Sequence, residues 1–235
     1  MPHGVGFIPQ SKKTNDTQVH AMNSPIPLAQ QPSSTVYQLL NGLSIMPFYD
    51  KDGTSSFSDT FLAQVFRRIV REESVSKIFY DGSIQNSADF IRFAKNRENE
   101  IFFVGYDGRE AGFFWLNRFR GKAAFITYCL YKDFWGDEAL LISSKCIDFL
   151  FAGKDDHGEH RLDVLLGLTP ANNKLAAKFL LKNGMTVLGK VPGLLYDAGT
   201  EAPEDGIFSY IQRNKSASLL KMPSFFLCIK PAGDA

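Results

Sequence analysis

Residues 173–185 read NKLAAKFLLKNGM, and the way they parse decides how the rest of the chain is read. Leu175, Ala176, Phe179 and Leu180 recur at the spacing of one helix face, and Gly184 supplies the left-handed residue that closes such a helix. Upstream, Thr169 and Pro170 suit the N-cap and the first helical position. Leu162 to Leu168 before this helix and Met185 to Val191 after it read as strands. The unit is strand, helix, strand, the alternation of an α/β protein.

Outward from that unit the pattern stays regular. Residues 131–140, YKDFWGDEAL, lead into a helix expected over about 137–151, with Ala139, Ile142, Ser143, Cys146, Ile147 and Leu150 along one stripe. Ahead of it lie Ile101–Tyr106, Glu110–Leu116 and Ala123–Tyr131, joined by short connections of which Asp107-Gly108 suits a tight hairpin turn. An antiparallel meander is the expected result. Two amphipathic helices precede it, one capped by Ser58 with Phe61, Leu62, Val65, Phe66 and Ile69 on its apolar side, the other starting at Ser87. A first strand falls on Leu43–Phe48, and later strands on Ile207–Gln212 and Phe225–Ile229. Residues 1–40, rich in Pro, Ser, Gln and Asn, read as a flexible arm, so one domain is expected over 41–235 with the strand near Phe225 as its extension.

Composition narrows the function classes. A net charge of +1 lacks the concentrated positive field that holds a polyphosphate backbone, so nucleic acid is not expected as a partner. No apolar run reaches the roughly 20 residues that cross a bilayer, so no membrane is expected either. Cys129, Cys146 and Cys228 are odd in number and sit in apolar runs, which reads as buried reduced thiols in a cytoplasmic protein. Asp155, Asp156, His157, Glu159 and His160 crowd one segment and read as a polar loop rather than a metal site.

The order of elements, together with Asn173, Ala176, Phe179, Lys182, Gly184 and Met185, resembles the GNAT acyltransferase superfamily, over roughly residues 41–213. The resemblance implies a central mixed, mostly antiparallel twisted sheet flanked by helices, and acyl transfer, with acetyl-CoA as cosubstrate, to an amine that the sequence does not identify. It implies that Asn173 and Phe179 contact the cofactor and that main-chain N–H groups near Leu130 and Tyr131 polarise the thioester carbonyl. The diphosphate loop of the superfamily, R-G-x-G-x-G/A, falls on Trp135 to Leu140, where only Gly136 matches.

Two departures set the problem. An acid in the first turn of a bare helix stabilises it by about 0.3–1 kcal/mol, which explains Asp137 and Glu138 structurally. The same carboxylate about 4 Å from a phosphate charge costs on the order of 4 kcal/mol, so binding at the Gly136 and Asp137 main chain requires these side chains to point away. Leu180 stands where many members place a proton-donating Tyr, which leaves Tyr196, Tyr128 or Tyr131 as substitutes. Glu110 and Asp163 are the candidate bases. The alternative is a GNAT fold kept as a binding or interaction module without catalysis. The arm and the final strand are the places where a homo-oligomer would form its contacts.

Overall fold

The computed structural model describes residues 35–39, 42–51 and 53–213. The chain enters through β1 (Tyr37–Gln38) and β2 (Leu43–Pro47), then makes a small hairpin of β3 (Asp50–Lys51) and β4 (Thr54–Ser55). Ser58 accepts the Phe61 N–H at 3.2 Å and starts α1 (Asp59–Arg71). A single turn, α2 (Val75–Ile78), follows, and Asn86 caps α3 (Ser87–Lys95) by accepting from the N–H groups of Ala88 and Asp89. The meander is β5 (Glu100–Tyr106), β6 (Arg109–Arg120) and β7 (Ala123–Leu130). After a 3-10 turn at Lys132–Phe134 come α4 (Asp137–Ala152), β8 (Val164–Pro170), α5 (Lys174–Lys182) and a long hairpin of β9 (Thr186–Asp197) and β10 (Ala202–Gln212).

Among the described residues, eight strands form one sheet in the order β1-β2-β5-β6-β7-β8-β10-β9. Every neighbouring pair is antiparallel except β7 and β8. This is the mixed, mostly antiparallel sheet that the sequence led us to expect. Aromatic side chains fill both faces. On one, Phe57, Phe61, Phe79, Phe90 and Phe93 of the helical segment meet Phe103, Phe113 and Trp115 of the sheet. On the other, Phe102 stacks on Phe114 at 4.8 Å and meets Phe149 of α4, while Tyr128 bridges Phe114 and Phe179. Edge-on and offset ring pairs of this kind add specificity to the burial that drives folding. Among the described residues, no helix is long and apolar enough to cross a membrane.

Several expectations need correction. Thr169 and Pro170 do not begin a helix, because both lie in β8, where Thr169 pairs with Ile207 and Pro170 with Gly206 of β10. Cross-strand pairing outweighs the local capping signal, and Asn173 takes the cap instead, accepting the Ala176 N–H at 3.1 Å. The strand expected to end at Val191 runs on to Asp197, carried past Pro192 by its pairing with β10. Leu175, assigned to a buried face, is 68% exposed. Tyr37 and Gln38 lie within the expected arm but form β1, since the Tyr37 ring packs 5.0 Å from that of Phe149. The strand expected at Phe225–Ile229 lies outside the described residues, as does most of the arm. His157 and Glu159 direct their N–H groups at the Asp155 carboxylate and His160 contacts the Phe151 carbonyl, so that polar segment is a loop knitted to itself and to α4.

Candidate active site

The one parallel junction in the sheet opens. β7 and β8 pair only where Ala123, Ala124 and Phe125 face Val164, Leu165 and Leu166. Beyond Phe125, β7 stays with β6 and β8 stays with β10, so the two strands part and the β7 edge from Ile126 to Leu130 has no strand partner on that side among the described residues. A cavity of about 540 Å³ occupies the notch and reaches both faces of the sheet. Phe134 does not plug it, being buried against Tyr106 and under Arg109. Trp135 stands at its rim, 45% exposed, and its indole N–H donates to the Leu130 carbonyl at 2.8 Å.

One arm of the cavity lies between α4 and α5. Gly136 is the N-cap of α4, with φ 96, a conformation that glycine adopts without penalty. The N–H groups of Gly136, Asp137, Glu138 and Ala139 have no acceptor among the described residues, as expected of the first turn of a helix. Asp137 and Glu138 are exposed and neither lines the cavity, whereas Gly136, Ala139 and Leu140 do. Across from them, α5 presents Asn173, Phe179, Lys178 and Lys182. This arm therefore offers free main-chain donors and two lysines, with no carboxylate among its described lining residues.

The other arm lies beneath α2 and the loop after it. Phe79, Phe93, Trp115 and Phe125 form its apolar wall, and Lys77, Tyr80, Asp81, Ser83, Arg118 and Thr127 bring polar groups to it. Ser83 donates its N–H and its hydroxyl to Asp81 Oδ1, at 3.1 and 2.7 Å. The Ala198 N–H, in the β9–β10 turn, donates to the Tyr80 carbonyl at 2.8 Å and pins the loop. Burial raises the Tyr80 hydroxyl pKa and the Asp81 charge adds to it, while Arg118 pulls the other way.

Several residues proposed from sequence stand outside this cavity. The Tyr131 N–H donates to the Ala111 carbonyl at 2.9 Å, so it is not free to polarise a ligand carbonyl. Its hydroxyl donates to Glu110, and neither residue lines the cavity. Asp163 is tied to Arg213 Nε at 3.0 Å. Tyr196 pairs with Pro203 in the β9–β10 hairpin, half exposed and away from the notch. Leu130, Gly136, Asn173 and Phe179 do meet around the cavity, whereas Asp137, in the first turn of α4, does not line it. Tyr128 lines it too, and burial lifts its hydroxyl pKa well above the ordinary value.

Sequence reasoning missed the Asp81 loop and a clamp on the other side of β7. Arg68 of α1 donates to Glu72 at 3.1 Å and to Asp133 at 3.0 Å, and its guanidinium lies 3.7 Å from the Tyr131 ring centroid. Glu72 in turn accepts the Lys132 N–H at 2.9 Å. These contacts hold the turn that aims Gly136. Arg68 and Glu72 stand four residues apart on one helix, the spacing of an ion pair, but their long-range targets do not show in the sequence.

Burial also pushes the Glu110 carboxyl up from its ordinary value, against the opposing pull of the Tyr131 hydroxyl and Arg68. A folded-state pKa above the unfolded one means that the folded chain holds the proton more tightly, so this group's contribution to stability falls as pH rises between the two. Glu110→Gln is therefore expected to gain stability relative to the parent as pH climbs from about 4 toward neutrality. Thermal melts across that range check it, and a difference that shrinks with rising pH would contradict the assignment.

The chain matches no family model and no curated protein sequence. Its fold does match solved structures. The acetyltransferase that modifies the N-terminal serine of ribosomal protein L7/L12 from Salmonella typhimurium aligns with a TM-score of 0.59 at 11% identity, covering 75% of this chain and 98% of that one. The spermidine N-acetyltransferase from Vibrio cholerae, solved with CoA and spermine, gives 0.57 at 11% identity over 75% and 98%. The ribosomal-protein-S5-alanine acetyltransferase from Vibrio fischeri gives 0.55 at 14% identity over 76% and 97%. The sheet order, the parted parallel strands and these alignments agree: this chain has the fold of the GNAT acetyltransferase superfamily.

Proposed function

We propose that the protein is an acyl-CoA-dependent N-acyltransferase, with acetyl-CoA the expected donor, acting on an amine by direct transfer. The observation that carries this reading is the open notch, whose two arms meet at the β7 edge that has no strand partner among the described residues. An extended amide-bearing chain can lie along that edge as a strand would, and its diphosphate can reach the N–H groups of Gly136 to Ala139, with Lys178 and Lys182 adding positive charge. Asp137 and Glu138 are exposed and absent from the cavity lining, which supports this reading against the electrostatic objection raised by the sequence. Neighbours that acetylate spermidine or ribosomal proteins support an amine acceptor.

The amine nitrogen, deprotonated, attacks the thioester carbonyl; the new C–N bond forms, the C–S bond breaks, and the proton released by nitrogen balances the one gained by the departing thiolate. The chain's task is to hold the two reactants together in the notch. Main-chain N–H groups on the β7 edge polarise the carbonyl. Asp81 is the only carboxylate among the described lining residues, which makes it the group to draw an ammonium in and, directly or through water, to take its proton. Tyr128, held protonated by its burial, donates to the Ser143 carbonyl at 3.4 Å, and turning that hydroxyl to the thiolate would supply the hydrogen bond that Leu180 cannot. Glu110 and Tyr196 receive no role.

The test is a thermal-shift titration with acetyl-CoA followed by thiol release over a panel of amines. Ligand at about 100 times its Kd is expected to stabilise the fold by about 2.7 kcal/mol, a shift of several degrees. Leu180 favours a second reading, a cofactor-binding module without turnover, and a shift unaccompanied by thiol release with any amine would select it. No shift at millimolar acetyl-CoA, in the parent or in Glu138→Gly, would remove both.

A further inference from the structure

We infer that the acceptor is an amine that also carries a carboxylate, with its ammonium directed at Asp81 and its carboxylate at Lys77 and Arg118. The inference rests on the transferase reading above and adds the substrate class. The second arm of the cavity holds two cationic side chains, Lys77 and Arg118, against the single carboxylate of Asp81. Neither cation has a carboxylate partner among the described residues. Elsewhere in the fold, Arg68, Arg161 and Arg213 do pair with carboxylates.

Arg118 is also placed by a backbone irregularity. The β6–β7 register breaks between Asn117 and Arg120, and Arg118 sits at φ 51 with its guanidinium over the Phe125 ring, 5.7 Å from the centroid. Bulges of this kind re-aim a side chain, here into the wall of the cavity. Asp81 is prepared in a complementary way. Both Ser83 donors converge on Oδ1, which fixes the carboxylate and leaves Oδ2 without a donor among the described residues. One fixed anion and two unpaired cations match a zwitterion. A polyamine would set its second ammonium beside Lys77 or Arg118 and be repelled. The aromatic wall of Phe79, Trp115 and Phe125 suits an apolar or aromatic body between the two charged ends.

Thiol release at saturating acetyl-CoA should be compared for phenylalanine, phenylalaninamide and spermidine, in the parent and in a Lys77→Gln/Arg118→Gln double variant. The parent is expected to favour phenylalanine over its amide by about tenfold in kcat/KM, the size of one charge-assisted hydrogen bond, with spermidine slowest. In the variant the ratio of acid to amide should fall close to one. Binding of N-acetylphenylalanine and N-acetylphenylalaninamide to the coenzyme A complex gives the same comparison without turnover. Equal treatment of acid and amide by the parent, an unchanged ratio in the variant, or preference for spermidine overturns the inference while leaving the transferase reading in place. Calorimetry with acetyl-CoA on the same samples separates the two, since absence of binding in the parent overturns both.

Discussion

Replacing Gly136 with valine is expected to weaken acetyl-CoA binding by about a hundredfold while the protein remains folded. Gly136 has φ 96 and caps α4 at the mouth of the arm between α4 and α5, and open space surrounds the position of a Cβ. The damage therefore comes from the backbone. A β-branched residue avoids this conformation, so the turn must rotate and the N–H groups of Gly136 to Ala139 lose their common aim. Two charge-assisted hydrogen bonds lost or bent amount to about 3 kcal/mol, which is the hundredfold. Calorimetric titration gives the affinity and circular dichroism the folded state. An unchanged Kd in a folded variant would show that the diphosphate is held elsewhere.

The largest effect on stability is expected at Gly112, on β6 behind the β7 edge. Its φ is +140, and an added Cβ would stand 2.1 Å from the Cys129 carbonyl oxygen and 2.9 Å from the Leu130 Cα. Both neighbours are main chain and cannot swing aside. Gly112→Ala must either push β6 from β7 or rotate the strand, and a loss of at least about 3 kcal/mol follows, roughly 6–12 °C in Tm for a domain of this size. Because Gly112 pairs with Leu130, the same change should widen the notch edge and weaken acetyl-CoA binding in whatever fraction remains folded. A melt within about 2 °C of the parent would mean that the strands are less closely apposed than described.

How much of this was legible beforehand depends on the range of the interactions involved. Helices α1, α3 and α4 and the meander were readable because periodic apolar positions, Ser58 and Asp107-Gly108 act within a few residues of themselves. Thr169 and Pro170 misled for the same reason: their local capping signal was overruled by pairing with Gly206 and Ile207, more than 30 positions away. Glu110 looked like a strand base facing a ligand, yet only the packing of Arg68 and Tyr131 over it reveals that it is occupied. Asp81 carried no motif at all. It matters because α2 and the loop behind it come to rest beside β7.

Local chemistry thus settled helices α1, α3 and α4, the meander and the resemblance carried by Asn173 to Met185, since propensity, capping and periodicity are properties of short segments. The notch, the outward turn of Asp137 and Glu138, and the meeting of Lys77, Asp81 and Arg118 were decided by the assembled sheet. They depend on where β7 stops pairing with β8 and on which way each strand is held by its other neighbour, and those are contacts between residues tens of positions apart that no short window of sequence contains.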